Sequence, residues 1–163
     1  MMKIIGIVII VISTLLFSFT IYEKYKTRPK SLQKFIDVIE SYTIRLKWHK
    51  NSFLETFKDF ETNDKYFLLA KNLIKTDSLL NAFINNNPLY SAMCLSKEDE
   101  IILVNFFKNC GRQNYTSEVS LCEKTTSALI KQRENACLKF KNNGSLYLKL
   151  GGVVALWIFI LLI

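Results

Sequence analysis

The chain has 163 residues, half of them hydrophobic, a formal net charge of +8 and a single histidine. That length allows one compact domain and little besides. The location of the charge argues against a nucleic-acid reader, which would carry its basic stripe inside the folded module. Residues 35–138 hold 13 basic and 13 acidic side chains and are neutral, while 23–34 and 139–149 supply +4 and +3.

From the N-terminus, residues 4–22 contain no charge. At ~1.5 Å per residue those 19 residues match the ~30 Å hydrocarbon core of a bilayer, so a transmembrane helix is predicted over 1–22. A cleaved signal peptide would have a shorter apolar core ending in a small-x-small site, which Ser18-Phe19-Thr20 is not. The next segment, 23–34, is basic, with Lys24, Lys26, Arg28, Lys30 and Lys34 against Glu23. By the positive-inside rule this flank faces the cytoplasm, and its cations can touch anionic lipid headgroups. Lys24, Lys26, Arg28, Pro29 and Lys30 are therefore candidate membrane-interface residues. Pro29 disfavours helix at Arg28 and is expected to break the path out of the span.

The middle segment, 35–145, reads as helix after helix. Leu32, Ile39, Leu46, Phe53 and Phe60 recur every seven residues, and Phe35, Ile36, Tyr42 and Phe57 fill the same stripe, so one face is buried. Ser52 followed by Glu55 forms a capping box and predicts a break near Lys50. Short helices are expected over 65–75 and 78–85, the second started by Asp77 and stopped by the turn Asn85-Asn86-Asn87-Pro88. Ser96 with Asp99 makes another capping box. The acids Glu98, Asp99 and Glu100 suit the positive end of a helix running to Cys110, with Gly111 as its C-terminal cap.

A last long helix starts near Thr116 or Ser117, carries Val119, Cys122, Leu129, Ala136 and Phe140 on one stripe, and is interrupted at Asn142-Asn143-Gly144. Residues 146–163 then form a second apolar helix whose one charge, Lys149, can snorkel to the interface. Gly151 and Gly152 would let another helix approach closely. With no period-two alternation, the fold expected is all-α: a cytoplasmic helical bundle between an N-terminal and a C-terminal transmembrane helix, both chain ends lying on the far side.

Chemistry is sparse. Cys94, Cys110, Cys122 and Cys137 are separated by 16, 12 and 15 residues, which gives no Cys-x-x-Cys pair for a metal or redox site. His49 has no carboxylate cluster or second histidine at ligand spacing. Consecutive acids at 98–100 point in different directions on a helix and do not converge. The five glycines form no phosphate-cradling loop. No catalytic, cofactor-binding or metal residues are predicted. Trp48, His49 and Glu55, at the turn between the first two helical segments, are the candidate partner-docking residues.

Several segments carry a resemblance. The short N-terminal span, Tyr25-Lys26-Thr27-Arg28-Pro29, Leu32 with its amphipathic helix, the turn from Trp48 to Glu55, and Phe106-Phe107-Lys108-Asn109-Cys110-Gly111 together resemble the stage III sporulation protein AB family of endospore-forming bacteria. The resemblance implies a non-enzymatic membrane component of the channel linking mother cell and forespore, placed in the mother-cell membrane around the forespore. It implies a cytoplasmic domain similar to the inner-membrane platform protein of type II secretion, with a secretion-type ATPase and other channel membrane proteins as partners, and homo-oligomers are conceivable. This chain departs from the family's aromatic-Gly-x-Thr-Pro-Leu with Trp48-His49-Lys50-Asn51-Ser52-Phe53, and has Asn114 where an aspartate is expected. The alternative from another class is a small membrane-anchored sensor whose bundle binds a ligand or a morphogenetic partner.

Overall fold

The computed structural model describes residues 2–49, 52–76 and 87–162. Among them are seven α-helices: α1 (Met2–His49), α2 (Phe53–Asp59), α3 (Lys65–Thr76), α4 (Asn87–Ala92), α5 (Lys97–Asn109), α6 (Tyr115–Lys139) and α7 (Ser145–Leu162). A π-helical turn, Phe140–Gly144, lies between α6 and α7. No strand occurs among the described residues, and the chain is all-α. It forms two compact units, one of Lys30–Glu134 and one combining Met1–Pro29 with Asn135–Ile163.

The Lys30–Glu134 unit is built around the stripe that α1 presents at Leu32, Phe35, Ile36, Ile39 and Tyr42, all buried. Phe53 and Phe57 of α2, Phe67 of α3, and Phe106 and Phe107 of α5 close over it. Phe53 sits among the rings of Tyr42 (5.1 Å between centroids), Phe106 (5.3 Å) and Phe107 (5.7 Å), mostly edge to face. Phe35 meets Phe67 at 4.9 Å. Each fully buried ring of this kind contributes about 1.5–3 kcal/mol from area alone, and edge-to-face pairing adds to it.

Local signals set the helix ends. α1 ends at His49 and α2 begins at Phe53, where Ser52 Oγ accepts from Glu55 N and Glu55 Oε2 accepts from Ser52 N, both at 3.3 Å. The same reciprocal pair, Ser96 with Asp99, opens α5. Gly111 follows α5 with φ +75°, a left-handed conformation that suits glycine. Lys71 of α3 donates to the carbonyls of Lys58 (3.0 Å) and Phe60, and Arg45 pairs with Asp59 at 2.6 Å, so the C-terminal end of α2 is tied to both α3 and α1.

Four expectations need correction or restriction. Pro29 does not break α1, which runs through it, although the ring removes the N–H that would have met the Tyr25 carbonyl and crowds that carbonyl. Asn142-Asn143-Gly144 does not end the helix either. The turn widens to π instead, with Gly144 buried against the Phe140 ring, 2.8 Å from where a Cβ would stand. Asn87 and Pro88 fall inside α4 rather than in a stop, in keeping with the tolerance for proline in a first helical turn. The helix predicted over 78–85 lies outside the described residues.

In the unit of Met1–Pro29 with Asn135–Ile163 the pattern of burial is reversed. Small residues face inward: Gly151 approaches Ser18 so closely that a Cβ would stand 2.5 Å from the serine Cβ, and Ala155 is buried. Tyr22 packs on Phe140 (5.6 Å) and Tyr25 stacks on Tyr147 (5.7 Å). Large apolar side chains face outward, among them Leu16, Phe17, Leu156, Trp157 and Ile160. Among the described residues, no helix is long and apolar enough to cross a membrane.

Candidate functional site

The polar centre of the Lys30–Glu134 unit is Glu118, in the first turn of α6. It falls four residues before Cys122, seven before Thr125 and eleven before Leu129, all buried, which places a carboxylate on the helix's core stripe. Glu118 is only 3 % exposed. Its Oε1 accepts from the Gly111 backbone N–H at 2.8 Å and from the Tyr42 hydroxyl at 3.1 Å. Its Oε2 is buried with no hydrogen-bond partner.

The sequence brings these groups together through two local rules. Cys110 ends α5 in an extended conformation, which swings the next peptide plane so that the Gly111 N–H leaves the helix and meets Glu118, and Gly111 with φ +75° then turns the chain into the start of α6. Tyr42 occupies a buried position of the α1 stripe, and its ring packs edge to face on Phe53. Burial, with the Cys110 thiol and the Glu118 carboxylate beside it, pushes the Tyr42 phenol far above its ordinary range. Burial first and Glu118 second do the same to the Cys110 thiol. Burial raises Cys122 to about 11, against a lowering hydrogen bond from Thr43. These groups are held neutral around one carboxylate.

A groove of about 300 Å³ opens beside this centre, lined by Tyr42, Leu46, Ser52, Gly111, Gln113, Tyr115 and Glu118. Of the predicted docking residues, Trp48 is 78 % exposed. Glu55 is exposed but engaged in the α2 cap, so its carboxylate has a structural role. The side chain of His49 lies outside the described residues. Sequence reasoning missed Glu118. The signal was present, since 118, 122, 125 and 129 fit the helical repeat better than the stripe that began at Val119, which is only half-buried.

Of the predicted interface residues, Lys24, Lys30 and Lys149 are exposed, and Arg28 and Pro29 are half-buried. Lys26 pairs with Glu23 at 3.3 Å and lies 5.7 Å from the Tyr22 ring centroid. All four cysteines are thiols. No group of three or more His, Cys, Asp or Glu side chains is placed to hold a metal among the described residues.

No curated protein and no solved structure matches the chain. The family described as stage III sporulation protein AB matches residues 3–163, both apolar ends and the helical unit between them. The chain therefore belongs to the stage III sporulation protein AB family.

Proposed function

We propose that the protein is a membrane-anchored, non-enzymatic platform of a secretion-like sporulation channel, with residues 4–22 and 146–163 crossing the membrane and the helical unit docking a cytoplasmic ATPase. The observation that carries the reading is the family match from residue 3 to 163, which gives the chain a stage III sporulation role. The membrane part rests on the charge-free stretch 4–22 and its basic flank. Ser13, Thr14, Ser18 and Thr20 each donate to a carbonyl three or four residues earlier, which removes the hydroxyls' demand for water in an apolar medium. On this reading Lys24, Arg28, Lys30 and Lys149 sit among lipid headgroups, on the mother-cell membrane around the forespore.

The test is a tag at the native locus and a mild-detergent pull-down with mass spectrometry from cells entering sporulation. Recovery of a secretion-type ATPase with other channel subunits supports the platform. Recovery of the intact protein alone, from cells that sporulate normally without it, overturns it.

A further inference from the structure

We infer that the groove at Glu118 is a socket for a basic side chain, a lysine or arginine presented by a partner protein; only the choice of a protein as the occupant rests on the platform reading. Three observations converge. First, a carboxylate taken out of water is costly unless its lone pairs are met, and here only Oε1 is met, by Gly111 and Tyr42, while Oε2 has no partner. Second, among the described residues no cation pairs with this carboxylate: Tyr42 and the Cys110 thiol beside it are held protonated, and Arg45, near the end of α1, pairs with Asp59 instead.

Third, the walls suit the rest of a long cationic side chain. Leu46 and the half-exposed ring of Tyr115 line the groove and can take an aliphatic stem, as lysine and arginine stems do on apolar surfaces. The exposed ring of Tyr115 favours a cation over a neutral group. A guanidinium or ammonium entering here would meet the one carboxylate of the lining, in a low-dielectric setting that strengthens the attraction. Its selectivity would come from that charge, since Gln113 and Ser52 on the rim are neutral.

The experiment uses the full chain in detergent micelles, isotope-labelled, with two probes of equal shape: N-acetyl-arginine amide and its neutral isostere N-acetyl-citrulline amide. Saturable shifts of the Gly111 amide resonance with the arginine probe, about tenfold or more weaker with the citrulline probe and in Glu118→Gln, are the result expected. Equal responses to both probes, or no response at all, overturn the socket. Glu118→Gln keeps the shape of the side chain, and an unshifted resonance for a remote amide such as Leu103 checks that the variant is folded. Should it fail to fold, the two-probe comparison on the native chain decides alone. Repeating the pull-down with Glu118→Gln separates this inference from the platform reading. Loss of the ATPase in the variant supports both. Equal ATPase recovery in native and variant protein overturns the socket and leaves the platform standing. A selective arginine response with no ATPase recovered from the native protein supports the socket and overturns the platform.

Discussion

The two units of this protein sort the same amino acids in opposite ways. In Lys30–Glu134 a cluster of rings, Phe35, Tyr42, Phe53, Phe57, Phe67, Phe106 and Phe107, is buried; in Met1–Pro29 with Asn135–Ile163 small residues, Gly144, Gly151 and Ala155, take buried places beside the ring pairs of Tyr22 and Tyr25, while Phe17 is 68 % and Trp157 64 % exposed. The difference teaches what holds each together. Removal of apolar area from water drives the first, whereas in the second close approach of backbones through small residues makes the contact. Substitutions should therefore have opposite effects in the two. Phe53→Ala, which empties the centre of the aromatic cluster, is expected to cost about 3–5 kcal/mol, whereas Phe17→Ala should leave the folded state of the full chain in detergent within about 0.5 kcal/mol. Thermal unfolding followed by circular dichroism reads both, and equal losses would erase the distinction.

The small-residue contact is tested from the other side by adding volume. Gly151→Leu places a side chain where Ser18 Cβ is only 2.5 Å from the new Cβ, too close for rotation of the serine hydroxyl to relieve, while Gly152 has nothing within 4 Å. A loss of about 1–3 kcal/mol is expected for Gly151→Leu, typical of overpacking, and little for Gly152→Leu. With Trp48→Phe in the background, Trp157 is the remaining tryptophan and its fluorescence reports the apolar unit. A Gly152 effect as large as that at Gly151 would refute this packing.

Within the helical unit the polar centre gives a pH signature. Tyr42 and Cys110 have pKa values raised by burial, with Glu118 adding to both, and Cys122 is raised from 9.0 to about 11. All three stay protonated in the fold at a pH where the unfolded chain has lost those protons. The stability they represent is fully present below about pH 9, where the unfolded thiols begin to ionise, and declines above it. The slope is at most about 1.4 kcal/mol per pH unit for Cys110, and less for the more open Cys122. Melting temperatures should be level from pH 7 to about 8.5 and then descend, less steeply in Cys110→Ser. A level profile up to pH 10.5 would show that burial does not hold these groups neutral.

Much of this arrangement was legible because local hydrogen-bonding rules and helical periodicity act at short range. Ser52 with Glu55 and Ser96 with Asp99 cap as their spacing requires, and Leu32 to Tyr42 are buried as their stripe implies. The sequence misled where a local preference was overridden by neighbours. Pro29 disfavours helix at the residue before it, yet α1 continues, since a long helix tolerates the loss of one hydrogen bond. Asn142-Asn143-Gly144 reads as a stop, but the absence of a side chain at Gly144 lets the turn widen against Phe140. Glu118 escaped notice because a carboxylate on a core stripe makes sense only once Gly111 and Tyr42 are seen to donate to it. Pairings 7 and 76 residues apart leave no periodic trace.

The smallest effect concerns two left-handed residues among the described residues of the helical unit, one ideal for its place and one not. After α4, Leu95 N donates to the Tyr90 carbonyl at 3.1 Å and Cys94 N to that of Ser91 at 3.0 Å, the double bond of a Schellman cap. Its left-handed position is held by Cys94 at φ 56°, whereas the corresponding conformation after α5 belongs to Gly111. A Cβ in that region costs about 1 kcal/mol, so Cys94→Gly should stabilise the protein by up to about that amount, and Cys94→Ala, which keeps the Cβ, should not. Gly111→Ala should cost about 1 kcal/mol through the backbone alone, because nothing lies within 4 Å of the added methyl. Urea titrations of the three variants compare them directly. If Cys94→Gly proved destabilising, the contact of the thiol with the Ala92 carbonyl at 3.9 Å would outweigh backbone strain. The cysteine would then hold its place for its sulfur and not in spite of its Cβ.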